Sequence, residues 1–463
     1  MRGERRHDRR DPLQAGRRAW LDAAVDVASR WLTAAMPLLA FLVATAATLL
    51  RQIGVPKVRT IWAEDATIFA GCAYAHPTPA ACLLEPYNGW IHVVPRLGAQ
   101  LAVLAPPEAL PLALASIAAI VTGLAAATVS VAVRNASESW VAGLLAGASL
   151  ALTWQAGREV GGSVTNLEWI LLAAAIIVIV ASWAGHRAGG ADGALVVAAG
   201  LSTAFAPVLP ALGVVGVALR RPRAGLIVAA GALAAAVQVI AGLTNTRTPP
   251  GQQPFDPAGA LRFFARDVID QGPFGAMRTP PGWAVAVGVA VVGAIALARI
   301  LLERRPASEP SGRTAVASDA AKAVLVSLGL VGTGVATFAA TVVLQRAFNP
   351  RYTYVAAVLL CCALVFSAAL VGRGLANRLG AVEQSIRWAA RLALPIAAIL
   401  LVVGFGRSFF LEARASNGPD VVAEYRAAAA GCSVGAASIR LPVSPVGGDA
   451  WAVEIPCDRV RSH

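Results

Sequence analysis

The residues able to do chemistry come in short bursts between long apolar runs. The first burst is Ile61-Trp62-Ala63-Glu64-Asp65-Ala66, and the second is Glu85-Pro86-Tyr87-Asn88-Gly89-Trp90-Ile91-His92-Val93-Val94-Pro95-Arg96. Two adjacent carboxylates in an apolar, aromatic setting are candidates for a general base or for metal ligands. Near hydrocarbon, desolvation favours the protonated acid unless a cation stabilises the charge. A pair of solvated loop acids is the plain alternative, and the neighbours weigh against it. Trp62, Tyr87 and Trp90 offer stacking surfaces, His92 a titratable ring and Arg96 an anion-binding guanidinium.

Two later bursts add to this set. Trp154 to Trp169 (WQAGREVGGSVTNLEW) is a polar turn that enters a helix through a Thr165 or Asn166 cap with Glu168 in the first turn. Capping explains part of that pattern, and Asn166 and Glu168 at the helix top would also point into a cavity under the first loop. In Phe348-Asn349-Pro350-Arg351-Tyr352-Thr353-Tyr354, Arg351 reads either as a snorkelling interface anchor or as a phosphate ligand. Arg351, Arg158 and Arg96 can bind a phosphate at a membrane boundary while Asp65 or Glu64 activates a nucleophile in the water above. That combination suits a lipid phosphate donor with a polar group to transfer.

The elements that position these residues are membrane helices. Of 463 residues 57% are apolar and only 14% charged, whereas a soluble domain has about 45–50% and about 25%; a water-soluble globular enzyme is excluded. Apolar stretches near span length lie at 31–50, 109–133, 138–155, 165–184, 224–243, 282–302, 323–345, 353–372 and 392–410. The segment 193–219 is interrupted by Pro207 and Pro210 and flanked by basic residues at both ends, so it reads as two short helices meeting at Pro207. The expected fold is an all-α polytopic bundle of about eleven spans with a long first extracytoplasmic loop.

The net charge of +13 serves orientation. Basic residues are scattered between apolar runs rather than clustered beside aromatics, so no nucleic acid partner is expected. The segments on one side of the eleven-span topology hold 22 basic and 11 acidic residues, against 17 and 15 on the other. By the positive-inside rule the first side is cytoplasmic. The expected organisation is a basic, disordered cytoplasmic arm (1–30), a membrane module (31–410) with external loops at 51–108 and 244–281, and a short extracytoplasmic tail (411–463). An inner (plasma) membrane location follows, with the N-terminus inside and the C-terminus outside. Residues 257–271 suggest an amphipathic helix on the outer surface, with Leu261, Phe264 and Val268 on one face. Cys72 and Cys82 in the first loop, and Cys432 and Cys457 in the tail, are disulfide candidates in an oxidising compartment. No Cys or His spacing suggests a zinc site, and any metal is unidentified.

Trp62-Ala63-Glu64-Asp65 after the first span resembles, together with later motifs, bacterial integral membrane glycosyltransferases of the GT-C superfamily. Those motifs are Pro86-Tyr87-Asn88-Gly89-Trp90-Ile91-His92 running into Pro95-Arg96-Leu97, the Thr165-Asn166-Leu167-Glu168-Trp169 helix start, Arg351-Tyr352, and the tail segments Leu441 to Pro445 and Trp451 to Cys457. The resemblance implies an enzyme that moves a sugar from a polyprenyl-phosphate donor to an extracytoplasmic glycan, lipid or protein acceptor, with inversion at the anomeric carbon. It implies Asp65, or else Glu64, as the base or as a ligand to a divalent cation, and Arg351 on the donor phosphate. His92 and Arg96 would lie near acceptor or phosphate, with Trp62, Tyr87, Trp90, Asn166, Glu168 and Tyr352 around the sugar. The short tail departs from members with a large C-terminal periplasmic domain. Membrane lipid would surround the site. A lipid-linked sugar flippase, an envelope-glycan assembly protein and a glycan polymerase or ligase are the alternatives. Against the flippase stand the lack of an inverted repeat and the position of the acids at helix ends.

Overall fold

The computed structural model describes residues 12–76, 78–244, 256–271, 314–345, 349–376, 384–410, 416–445 and 451–462. Helices account for most of them. The first, α1 (Pro12–Leu50), begins well inside the segment expected to be a disordered arm. Between Gly16 and Pro37 the sequence has neither Gly nor Pro and is rich in Ala, so the helix of the first span propagates backwards through it. Residue 30 is therefore no structural boundary.

After α1 the chain forms a π-helical turn (Asp65–Ala70) and three short helices, α2 (Gly71–Ala75), α3 (Pro79–Leu84) and α4 (Val93–Ala102). The bundle then runs through α5 (Leu110–Ser137), α6 (Trp140–Leu152), α7 (Leu167–Trp183), α8 (Gly190–Gly200), α9 (Val208–Ala218) and α10 (Ala224–Thr244). Past α11 (Pro257–Phe264) come α12 (Thr314–Gln345), α13 (Pro350–Ala376) and α14 (Gln384–Arg407). The tail carries α15 (Val421–Ala429), an antiparallel pair β1 (Ser438–Pro442) and β2 (Ala452–Pro456), and α16 (Cys457–Arg461).

Among the described residues four helices are long and apolar enough to cross a membrane by length and composition: Pro107–Ser137, Ala224–Thr244, Ala321–Leu344 and Pro350–Leu370. Six more apolar helices are shorter, and the expected span at 282–302 lies outside the described residues. The segment 193–219 divides as its prolines suggest, into α8 and α9 of 11 residues each. At 1.5 Å per residue each is about 16 Å long, roughly half a hydrocarbon core of about 30 Å.

Every residue of α7 except Glu168 is buried. A helix apolar on all sides belongs at the centre of a bundle, and α7 is packed by α5, α8, α9, α12 and α13. Close helix approach elsewhere rests on small residues. A Cβ at Gly147 would lie 2.5 Å from the Ala126 carbonyl oxygen, and one at Gly143 would lie 2.5 Å from that of Ser130. This Gly-x-x-x-Gly seam lets α6 sit directly on α5.

The loops assigned to the outside gather at one end of the bundle. There the buried Arg51 guanidinium donates to the carbonyls of Ala151 and Thr153 after α6 and of Ser408 and Phe409 after α14. One cation thus satisfies the free carbonyls of two helix C-termini. The tail closes over the first loop: Ser444 N–H donates to Ile61 (3.0 Å), Thr67 Oγ1 to the Ala452 carbonyl (2.9 Å), and Arg59 pairs with Asp420 (2.6 Å). α11 packs against α12 through Phe263 and Phe264 on Phe338, with Val268 buried just beyond it. Leu261 is 70% exposed, so the three residues expected to share a face do not. The helix continues as a π turn (Ala265–Asp270) that rotates the face.

Candidate active site

Three π-helical turns, each adding a residue per turn, present charged groups at this end: Asp65–Ala70, Ala156–Val160 and Ala265–Asp270. The first separates the two acids. Asp65 is 2% exposed, and its carboxylate accepts from Ser163 Oγ (3.0 Å), Val164 N–H (3.2 Å), Thr165 N–H (2.8 Å) and Thr165 Oγ1 (2.5 Å). Both oxygens are committed to organising the turn that leads into α7. Burial pushes the Asp65 carboxyl up to about 6, against the opposing pull of the Thr165 and Ser163 hydrogen bonds.

Glu64 points elsewhere. Its Oε1 accepts from Arg351 Nη1 at 3.1 Å, and its Oε2, also buried, has no hydrogen-bond partner. Arg351 also lies 3.9 Å from Glu159 Oε1 and stacks over the Tyr352 ring at 5.4 Å.

Glu64 and Arg351 face a cavity walled by Tyr87, Asn88, Trp90, His92, Thr165, Glu168, Trp169, Thr203 to Phe205, Thr341, Leu344 and Tyr352. Its space for water is about 70 Å³, room for roughly two molecules at about 30 Å³ each. A larger ligand enters only as these side chains move aside. His92 is aimed by the Trp90 carbonyl at Nδ1 (3.1 Å) and meets Glu168 through Nε2 (3.4 Å). Phe69 packs behind, with ring centroids 5.9 Å from Tyr87 and 5.7 Å from His92.

Gln238, in α10, donates to the carbonyls of Ile91 (2.8 Å) and Gly200 (3.1 Å) and accepts from Ile91 N–H (3.0 Å). It stands six residues before Thr244, the end of α10, so the Ile91 and Gly200 backbone it holds lies about 9 Å down that helix. Non-helical backbone at that depth is tolerated because protein satisfies it.

The expected site residues therefore separate. Glu64, Arg351, Tyr87, Trp90, His92, Glu168 and Tyr352 share the cavity. Arg158 and Trp62 border an adjoining recess with Lys57, Glu159 and Ser163, and Arg158 stacks on Trp154 at 5.1 Å. Arg96 is buried behind Phe69, 5.2 Å from the ring, with Nε and Nη1 unpartnered; Phe69 stands between it and the cavity wall. Asn166 is buried and donates to the Glu159 carbonyl (3.3 Å). Neither Arg96 nor Asn166 lines the cavity, because each is held on the packed side of its helix start. Thr203, Phe205 and Thr341 were not singled out from the sequence. The break at Pro207 was the available signal for the first two, since a helix interrupted within the bundle exposes backbone that must line something.

Lys57 supports the second π turn. Its ammonium donates to the Gly161 carbonyl, and Gly162, at φ +81°, lies so close that a Cβ would come within 2.6 Å of the lysine chain. Burial lowers Lys57 to about 7.

The cysteines form Cys72–Cys82 and Cys432–Cys457 disulfides, while Cys361 and Cys362 are buried thiols in α13. Contrary to the reading of the spacing, Cys72, His76, Cys82 and Glu85 converge, with candidate ligand atoms within 4.8 Å of one another. The spacing C-x₃-H-x₅-C-x₂-E spreads over two consecutive helices, and only their packing against each other makes it a cluster.

No family model and no curated protein matches the chain. Among solved structures it is similar to the apo form of the Archaeoglobus fulgidus oligosaccharyltransferase, at 14% identity and a TM-score of 0.36, covering 82% of this chain and 56% of that one. The chain thus spans just over half the length of that structure, and the likeness is too loose to carry residues or roles across.

Proposed function

We propose that this chain is an inverting membrane glycosyltransferase that takes a sugar from a polyprenyl-phosphate donor and passes it to an acceptor hydroxyl on the extracytoplasmic side. The observation that supports this reading is the recessed cavity that Glu64 and Arg351 line together, paired with each other at 3.1 Å, while the second Glu64 oxygen, Oε2, is buried with no hydrogen-bond partner among the described residues. One side group is suited to receive a proton and the other to hold a phosphate. Tyr87, Trp90, Trp169 and Tyr352 supply the aromatic surfaces on which a sugar ring packs.

A single displacement needs no more than this. The acceptor oxygen attacks the anomeric carbon as its proton passes to Glu64, and the bond from that carbon to the phosphate oxygen breaks. The electron pair leaves on the phosphate, whose charge Arg351 stabilises. Retention through a glycosyl-enzyme would ask for a second acid/base near the nucleophile; the other acid lining the cavity, Glu168, pairs with His92 (3.4 Å), and Asp65, the nearest acid in sequence, is tied up in its own hydrogen bonds. We therefore assign the base to Glu64 and a positioning role to Asp65. Any divalent cation would be held by Glu64 and Glu159, the acids beside Arg351. The position of the cavity beside helix ends, with Leu344 and Arg351 in its wall, fits a donor whose phosphate sits at the boundary of the hydrocarbon with its chain among the helices.

The test is transfer from a short-chain polyprenyl-phosphate sugar to a panel of envelope acceptors by the purified chain in detergent. Product with inverted anomeric configuration is expected. Donor binding without product across the panel would sink the transferase reading. It would favour instead a flippase, which the paired half-helices α8 and α9 also suit.

A further inference from the structure

We propose that the first external loop holds a thiol-gated zinc site formed by Cys72, His76, Cys82 and Glu85, closed when the two cysteines are oxidised and open when they are reduced. In α2, His76 N–H donates to the Cys72 carbonyl (3.1 Å), so these residues are stacked one helical turn apart on one face. In α3, Glu85 N–H donates to the Cys82 carbonyl (3.3 Å), which stacks that pair likewise. The two faces meet, with Glu85 Oε2 3.0 Å from Cys72 Sγ and candidate donors of all four residues within 4.8 Å. Two sulfurs, an imidazole nitrogen and a carboxylate oxygen are a tetrahedral set of the kind zinc takes. With metal–donor bonds of about 2.0–2.3 Å, neighbouring donors stand about 3.5 Å apart. The disulfide uses two of the four groups. Histidine and glutamate are aimed at the same point by the same helical spacings, and the disulfide gives no reason for that.

The switch is chemically balanced. A dithiol reductant breaks the Cys72–Cys82 bond by exchange and is itself oxidised to a disulfide, leaving two thiols. Zinc takes both as thiolates and two protons go to solvent, while His76 binds through a neutral ring nitrogen and Glu85 through its carboxylate. Glu85 is followed by Pro86 and then Tyr87, a wall of the cavity, so metal occupancy would be felt at that wall. The site stands independently of the transferase reading.

The experiment uses the full chain in detergent micelles with zinc chloride as the only added metal, followed by competition with a chromophoric chelator. The oxidised chain should take up no zinc and the phosphine-reduced chain one equivalent. His76→Ala and Glu85→Gln should each weaken uptake at least tenfold, and the Cys432→Ser, Cys457→Ser double variant should retain it. Cobalt(II) should give tetrahedral ligand-field bands in the reduced wild type. The proposal is overturned by equal uptake in oxidised and reduced chains, by wild-type affinity in both ligand variants, or by an octahedral cobalt spectrum. Dependence on Cys432 and Cys457, or loss of helicity on reduction, would overturn it as well.

Discussion

Glu64→Gln removes a charge beside the Arg351 guanidinium, yet it keeps the volume and an oxygen to accept from Arg351. Turnover should fall by roughly 10²–10⁴, the usual worth of a general base, with thermal stability nearly unchanged. Asp65→Asn should behave differently, because an amide N–H must replace one of the acceptors that the Thr165 and Val164 N–H groups use. It should lower Tm by the equivalent of about 1–3 kcal/mol. Wild-type stability in Asp65→Asn with abolished transfer would instead make Asp65 the base. The raised Asp65 pKa, about 6 against 3.8, also fixes a pH slope. Between these values the folded chain binds more protons than the unfolded one, so this group's contribution to stability falls as pH rises through the window and is level above it. Tm of the wild type minus Tm of Asp65→Asn should therefore decline from pH 4 to pH 6, and a flat difference would refute the assignment. Arg351→Ala should raise the donor KM about tenfold or more, the loss of one charged contact. An unchanged KM would return it to the role of an interface anchor.

Among the elements, the short helices decide where the site lies. α8 and α9 reach only part of the way across, and the turn between them meets the Tyr87–Trp90 turn at the level of Gln238. Gln238→Leu would leave three buried backbone groups unpaired, each worth roughly 1–3 kcal/mol. The expected result is a marked loss of Tm and of donor binding together, with Gln238→Glu intermediate because it keeps only the acceptor. Retained Tm in Gln238→Leu would show that water replaces the side chain there. Among the described residues the positions of the apolar helices were readable from hydropathy and the break at Pro207 from the prolines, because both follow from local composition. The π turns were not readable. They lie where charged residues meet partners in other segments, as Asp65, the first residue of one such turn, meets Ser163 and Thr165.

At the scale of the molecule, the loops read as external share one end of the bundle and the tail closes over them through Ser444, Thr67 and Arg59. If that end is the outside, an epitope after His463 in sealed right-side-out vesicles should be digested by added protease, while one before Met1 survives until lysis. The opposite pattern would invert the topology. The sequence by itself determined a bundle of apolar helices, the approximate place of those helices, and the short list from which the site is drawn. Each is a property of runs and counts, which hydrophobic burial and charge placement translate directly into structure. Only the tertiary structure decided which of two adjacent acids faces the cavity, which of three arginines joins it, and that His76 and Glu85 stand beside a cysteine pair. Those outcomes depend on contacts between residues far apart in sequence or on neighbouring helices. A change of one residue in helical register reverses them while leaving composition, periodicity and spacing as they were.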